Sequence, residues 1–410
     1  MPPWLYLLIL ALPGALISSW LHTSPLLTFI LAALGVIPLA GLIGEATEAL
    51  SVRVGPMVGG LLNATFGNAA EFIIGVSALA AGLPDVVRAA IAGGIIGNAL
   101  FTLGSAMLAG GWRFGLQRFQ ARNAGQYALM LALAVVGLAV PSLLATVGAS
   151  VTTGANTVHG LALHEMSLIV APLLLVSYAG YLAFSVFGLR AERRHPDGAA
   201  PDAANDADDD DDNDTVAAEE DAPDTNADVA ADAKKAVGAS SAEERRGVAG
   251  LIERWRQRSA LFDVLTLVVA TALIAVDSEL LTGSIEPLSK DLHLSSFFVG
   301  LIVLPLVGGA AEYATAMRTA MSDHMEATLS VTAGSSIQIA LLIAPLLILV
   351  SPFVGSTLDL DFSQLELVIF GLVAGLFTLI SLDGESTWLE GLQLCVFYLI
   401  VAVGAFFISG

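Results

Sequence analysis

Two glutamates stand where a carboxylate is costly. Glu71 lies in GNAAEF, Gly67 to Phe72, between GGLLNATFGNAA and FIIGVSALAA, with no other charge in the run. Glu312 lies in GGAAEY, Gly308 to Tyr313, 241 residues further on. By insertion scales, an acid at the centre of a bilayer costs about 2.5–3.5 kcal/mol. The same cost met twice, in matching surroundings, points to a function. Two carboxylates brought together also repel. A divalent cation relieves both costs, and so do two protons. The chemistry expected of such a pair is competition between a divalent cation and protons for one site.

The elements that must position the pair are membrane helices. The chain has 410 residues, 56% of them hydrophobic and 13% charged, with a mean hydropathy of +0.78. That excludes an ordinary soluble domain. The single cysteine, Cys395, excludes an internal disulfide and a cysteine metal cluster. Eleven apolar runs are long enough to span. They lie near 4–21, 25–43, 56–81, 86–109, 124–147 and 161–187, then 260–281, 297–320, 324–351, 364–381 and 388–408. The first has no basic flank before it and reads as a retained helix, not a signal peptide.

Between residues 191 and 247 the composition changes to Ala, Asp and Pro, with 18 acidic and 6 basic residues. Much of the formal charge of −21 resides there. Such a segment cannot bury enough apolar surface to fold and is expected to be a disordered linker. Placing the N-terminus in the cytoplasm puts 15 of the 17 Lys and Arg on that side; only Arg88 and Lys290 fall outside. The positive-inside rule therefore predicts N-terminus and linker inside, C-terminus outside.

The chain also resembles itself. At an offset of 241, Val58 and Gly59 meet Val299 and Gly300, and Ala69, Ala70 and Glu71 meet Ala310, Ala311 and Glu312. A second patch, AGGIIGNAL (Ala92 to Leu100), meets AGSSIQIAL (Ala333 to Leu341). The glutamates fall five spans apart, an odd number, so the copies run oppositely through the bilayer. That is the inverted-repeat pattern of secondary transporters, whose sites form at the midplane on interrupted helices. Gly67 with Asn68, and Pro305 with Gly308 and Gly309, are the expected interruptions, freeing carbonyls to line a polar cavity. The predicted layout is all-α: a leading helix (1–22), a first five-helix repeat (23–190), the linker (191–258) and a second five-helix repeat (259–410).

The candidate ligands are all oxygens: Glu71, Glu312, Asn68, Asn98, Gln338, Ser335 and Ser336. Hard oxygens suit Ca²⁺, Mg²⁺ or Mn²⁺ and disfavour Zn²⁺ or copper. Mg²⁺ gives up water reluctantly, so a dehydrated site favours Ca²⁺. The amides have a second reading, as hydrogen-bonded links between helices. His159, His164 and Glu165 lie together, but HEMSL lacks the second His of a zinc-binding helix. No nucleophile–base pair and no nucleotide fingerprint appears. An enzyme, a cofactor, a primary pump and a nucleic-acid partner are therefore not expected.

GGLLNATFGNAAEFIIG, with GEATEAL before it, resembles the first signature repeat of the Ca²⁺/H⁺ exchangers, the cation-exchanger branch of the calcium/cation antiporter superfamily. LIVLPLVGGAAEYATAM, followed by GSSIQIALLIAPLLILVS, resembles the second, and DGESTWLEG is similar to a further family stretch. The resemblance implies eleven spans and exchange of cytoplasmic Ca²⁺ for external H⁺ by alternating access. It implies Glu71 and Glu312 as carriers of Ca²⁺ and protons, with Asn68, Asn98 and Gln338 as supporting ligands. Three positions depart from the family pattern: Gly309 for the usual Asn, Tyr313 for the usual His, and Gly97 for the usual Ser. These put the ion in question more than the fold. The alternative is the same fold exchanging another cation, as Mn²⁺/H⁺ or Na⁺/Ca²⁺. A prokaryotic cell membrane is the expected location.

Overall fold

Within hydrocarbon a backbone has only itself to hydrogen-bond, so apolar runs close as helices. The computed structural model describes residues 3–151, 156–183 and 259–407. The predicted linker, and the basic residues 190–258, lie outside them. A 3₁₀ segment, Pro3–Leu10, leads into α1 (Ala11–Trp20). Then come α2 (Pro25–Val54), α3 (Pro56–Phe66), α4 (Ala69–Ala80), α5 (Pro84–Phe114), α6 (Ala121–Val151) and α7 (Asn156–Ala183). Beyond the linker follow α8 (Ala260–Gly283), α9 (Ile285–Leu292), α10 (Ser296–Gly308), α11 (Ala310–Ala320), α12 (Met325–Val354), α13 (Gln364–Ile380) and α14 (Trp388–Phe407). Residues 1–182 and 261–410 form one compact unit.

The described parts of the stretches expected to span are helical apart from the breaks inside 56–81 and 297–320, yet fewer of them are long spans than the eleven expected. Among the described residues, seven helices are long and apolar enough to cross a membrane, or eight if the bent pair α10–α11 is one span. The third expected span, 56–81, is cut into α3 and α4. The helices near 4–21 and 364–381 are apolar but short. In the other direction, α2 runs eleven residues past its expected end at 43. Nothing in GEATEALSVRV breaks a helix; the stop is Gly55 at φ 85°, held out of helical geometry by the proline that follows. Glu45 and Glu48 are thus inside a helix rather than beyond one.

Small residues let the helices cross closely. A Cβ at Gly93 of α5 would lie 1.9 Å from the Leu301 carbonyl oxygen, and one at Gly300 of α10 would lie 2.7 Å from that of Val86. Each glycine faces the other helix's backbone, and Asn98 further along α5 lies by Gly309 just past α10, so the two helices pack backbone to backbone, running parallel. Small residues serve membrane helix contacts in this way because packing, not hydrophobicity, holds such helices together. Gly104 and Gly391 do the same between α5 and α14. Large apolar side chains from α5, α6, α12 and α13, including Leu103, Leu131, Ile337 and Phe370, fill the main core. The connections include a short antiparallel ladder, β1 (Gln117–Arg118) with β2 (Glu385–Ser386).

Candidate functional site

At both expected interruptions a helix stops and restarts. α3 ends at Phe66, Asn68 takes φ −115° and ψ 32°, and α4 begins at Ala69. α10 ends at Gly308, Gly309 takes φ −80° and ψ 13°, and α11 begins at Ala310, bent 59° from α10. No backbone hydrogen bond bridges from 69–71 to 65–67, or from 310–312 to 306–308. The carbonyls at both breaks are thereby left to other donors or to cations. Each glutamate is the third residue of the restarting helix. There the helix dipole favours a negative group, which offsets part of the cost of burial.

The glutamates converge on one dipeptide. A Cβ at Gly308 would lie 3.2 Å from Glu71 Cγ and 3.6 Å from its Oε1. A Cβ at the next residue, Gly309, would lie 3.8 Å from Glu312 Oε2 and 3.8 Å from Asn98 Oδ1. Both side chains are half-buried, and the Oε2 atom of each is sealed from solvent without a hydrogen-bond partner. A buried oxygen left unmatched is costly, so a ligand or a proton is called for at both. Among the described residues no three His, Cys, Asp or Glu side chains come together. A cation here would complete its shell from amide, hydroxyl and carbonyl oxygens and water.

The four neutral candidates form one chain. Asn68 Nδ2 donates to Gln338 Oε1. Ser335 Oγ donates to Asn68 Oδ1 at 2.9 Å. Asn98 Nδ2 donates to Ser335 Oγ at 3.0 Å. Thr102, which sequence reasoning did not single out, donates weakly to Asn98 Oδ1 at 3.4 Å. In this structure the amides therefore act as links between α5, α12 and the α3–α4 break. Ser336, also a candidate, turns away to the Ile95 and Thr332 carbonyls. Asn98 is where the two groups meet, because its Oδ1 also faces Gly309. Both polar patches sit at a change of winding: α5 widens to a π-helix over Gly97–Thr102, and α12 over Ile339–Ile343. Such segments recur at functional sites.

Two cavities adjoin the site and share Gly94, Asn98, Pro305 and Gly309. One reaches Glu71 between apolar walls that include Ile91, Ile343 and Leu347. The other reaches Tyr313, whose ring stacks on Phe101 at 5.5 Å and 12°. The His-rich patch proves separate. His164 Nδ1 lies 2.6 Å from Asp359 Oδ1, and the His159 side chain is outside the described ones. Sequence reasoning also passed over Asp277, a fully buried acid in α8. The signal was the one that found Glu71, an acid inside an apolar run.

With this geometry in view, comparison with known proteins is decisive. A profile described as Sodium/calcium exchanger protein matches residues 24–187 and 262–407. The chain belongs to that family. It is 35% identical to a protein of Aphanothece halophytica named Ca(2+)/H(+) antiporter, over 98% of this chain and 95% of the relative. It is 37% identical to a protein of the same name from Synechocystis sp., over 96% and 95%. The solved structure of native YfkE superposes with a TM-score of 0.73 at 26% identity, covering 98% of this chain and 99% of that one. A member of this family is a membrane transporter, and its matched segments leave out the acidic linker.

Proposed function

We propose that this protein exchanges cytoplasmic Ca²⁺ for external H⁺ by alternating access at Glu71 and Glu312. The observation that carries the reading is the convergence of the two half-buried glutamates on Gly308–Gly309, each with an unmatched buried oxygen. The names of the Aphanothece and Synechocystis relatives support the choice of ions. In one state the two carboxylates hold Ca²⁺ open to the cytoplasm. After the switch, external protons displace it and the neutral pair returns. An empty, doubly charged site is costly to carry through the low-dielectric interior. That cost enforces coupling: the site moves loaded with Ca²⁺ or loaded with protons.

Asn68, Asn98, Gln338 and Ser335 fit a second role as supporting ligands, exchanging their mutual hydrogen bonds for the ion. Carbonyls freed at the two breaks supply further hard oxygens, as Ca²⁺ prefers. Eleven spans in two inverted five-helix repeats, with N-terminus inside and C-terminus outside, form the frame of this reading. The matched breaks at Asn68 and Gly309 and the parallel α5–α10 crossing, which opposed repeats require of these two spans, support it. The linker 191–258 then lies in the cytoplasm.

The test is Ca²⁺ uptake into proteoliposomes under an imposed pH gradient, with wild type beside Glu71→Gln and Glu312→Gln. Uptake that follows the gradient and vanishes in both variants is expected. Uptake driven by Na⁺ instead, or Mn²⁺ preferred over Ca²⁺, would replace the proposal with its alternative.

A further inference from the structure

Helices α2 and α8 run antiparallel and touch at both ends. At one end Arg53 of α2 meets the buried Asp263 of α8 at 2.8 Å. Between the ends, Leu39, Ile43, Ala46 and Leu50 pack with Leu267, Ala270 and Ile274. At the other end Asp277 of α8 lies on Gly35 of α2, so closely that a Cβ there would stand 2.4 Å from Oδ2. Eighteen residues of helix, about 27 Å, separate Arg53 from Gly35 along α2. The two acids are equally buried, at 1% and 0% exposure, but differ in their partners. Asp263 has a guanidinium. Neither oxygen of Asp277 has any hydrogen-bond partner.

No charge faces Asp277 from the surrounding elements. Residues 23–44, which include the facing stretch of α2, hold no titratable side chain, and neither do α1 and α10. On α5, Asp85 pairs with Arg88 at 3.0 Å, and on α9, Glu286 pairs with Lys290 at 2.9 Å. Glu279, Asp291, His293 and His22 are exposed. Glu71 of α4 turns to Gly308. An isolated ionised carboxylate in such a place is far costlier than a neutral acid.

We infer that Asp277 is a proton-binding site separate from the Glu71–Glu312 pair, and that its neutral form holds this end of α2 against α8. Losing the proton leaves a buried unpaired charge and drives the two helices apart there. The packed arrangement is therefore favoured at acidic pH and lost as pH rises. With the N-terminus inside, this end lies toward the external face, from which the driving protons come. That consequence for transport rests on the exchange reading above.

Two measurements on the full chain test it. The first is infrared spectroscopy of Glu71→Gln/Glu312→Gln protein at neutral pH, with and without Asp277→Asn. The carbonyl stretch of an un-ionised carboxylic acid is expected in the first and reduced in the second. Identical spectra would overturn the inference. This result stands whether or not Ca²⁺ is transported. The second is Ca²⁺ uptake as the bath pH is stepped at constant pH gradient. Asp277→Asn, a neutral isostere, is expected to retain uptake while its logarithmic rate–pH slope becomes shallower by up to one proton. An unchanged slope, or lost uptake in a folded variant, would overturn it.

Discussion

The two helix breaks solve one problem with unequal means. At the first, the residue before α4 is Asn68, whose amide reaches Gln338 and Ser335 and ties the break to α12. At the second, the residue before α11 is Gly309, with no side chain, and the amide nearest to it is Asn98, contributed by α5. The glutamates occupy equivalent places, yet their surroundings differ. Glu71 lies by a break that is cross-linked; Glu312 lies by one that is bare and bent. Duplicated elements can thus keep the carboxylates matched while sharing a single amide network. On the proposed exchange, the acids are constrained by charge balance with the ion, and the neutral groups only by satisfied hydrogen bonds.

Removing either charge should break the comparison most severely. Glu71→Gln and Glu312→Gln are each expected to abolish gradient-driven Ca²⁺ uptake, since one carboxylate cannot balance two charges. Residual transport in one variant alone would show that the breaks are unequal in their carriers too. A packing change of comparable size is Gly93→Ala. Its methyl would overlap the Leu301 backbone, which cannot move as a side chain can. Loss of folded protein, read by size-exclusion chromatography and thermal melting, is expected.

Gly308→Ala comes next. Its Cβ, 3.2 Å from Glu71 Cγ, crowds Glu71 and leaves Glu312 alone. Uptake should fall several-fold without loss of fold, mainly through weaker Ca²⁺ affinity. Gly309→Asn sharpens the contrast directly. It gives the second break the amide of the first, beside Asn98 Oδ1 and Glu312 Oε2, although Pro305 O at 2.9 Å must yield. A several-fold change in the preference for Ca²⁺ over Mn²⁺, measured by competition, is expected. The smallest effect belongs to Gln338→Ala. Interhelical polar bonds in membranes average about 0.6 kcal/mol. A slight drop in melting temperature should accompany a modest loss of affinity.

Much of the site was legible before the structure. Glu71 and Glu312 announce themselves because nothing else in their runs is charged, and because the repeat places them alike. Gly67 and Gly309 mark the breaks because glycine is a poor helix interior residue. The roles of Asn68, Asn98, Ser335 and Gln338 were legible only as alternatives. An amide serves a cation or a neighbouring helix equally well, and which one it meets depends on distances no linear pattern contains. The span count also outran the structure: hydropathy sees the apolar run 56–81 as continuous, while the backbone is cut inside it at Asn68. Asp277 was passed over because it has no counterpart at the repeat offset, where Val36 stands.

By itself, the sequence determined that this chain lies in a membrane, that it is helical, and that two acids stand in matched motifs inside apolar runs. Those follow from composition, hydropathy and repetition, which are properties of the chain as a string. Only the tertiary structure decided that both acids meet on Gly308–Gly309, that the amides are joined to one another, and that Asp263 has a partner while Asp277 has none. Each of these depends on which residues of distant helices come within a few ångströms, and that is set by how closely the small residues let the helices cross.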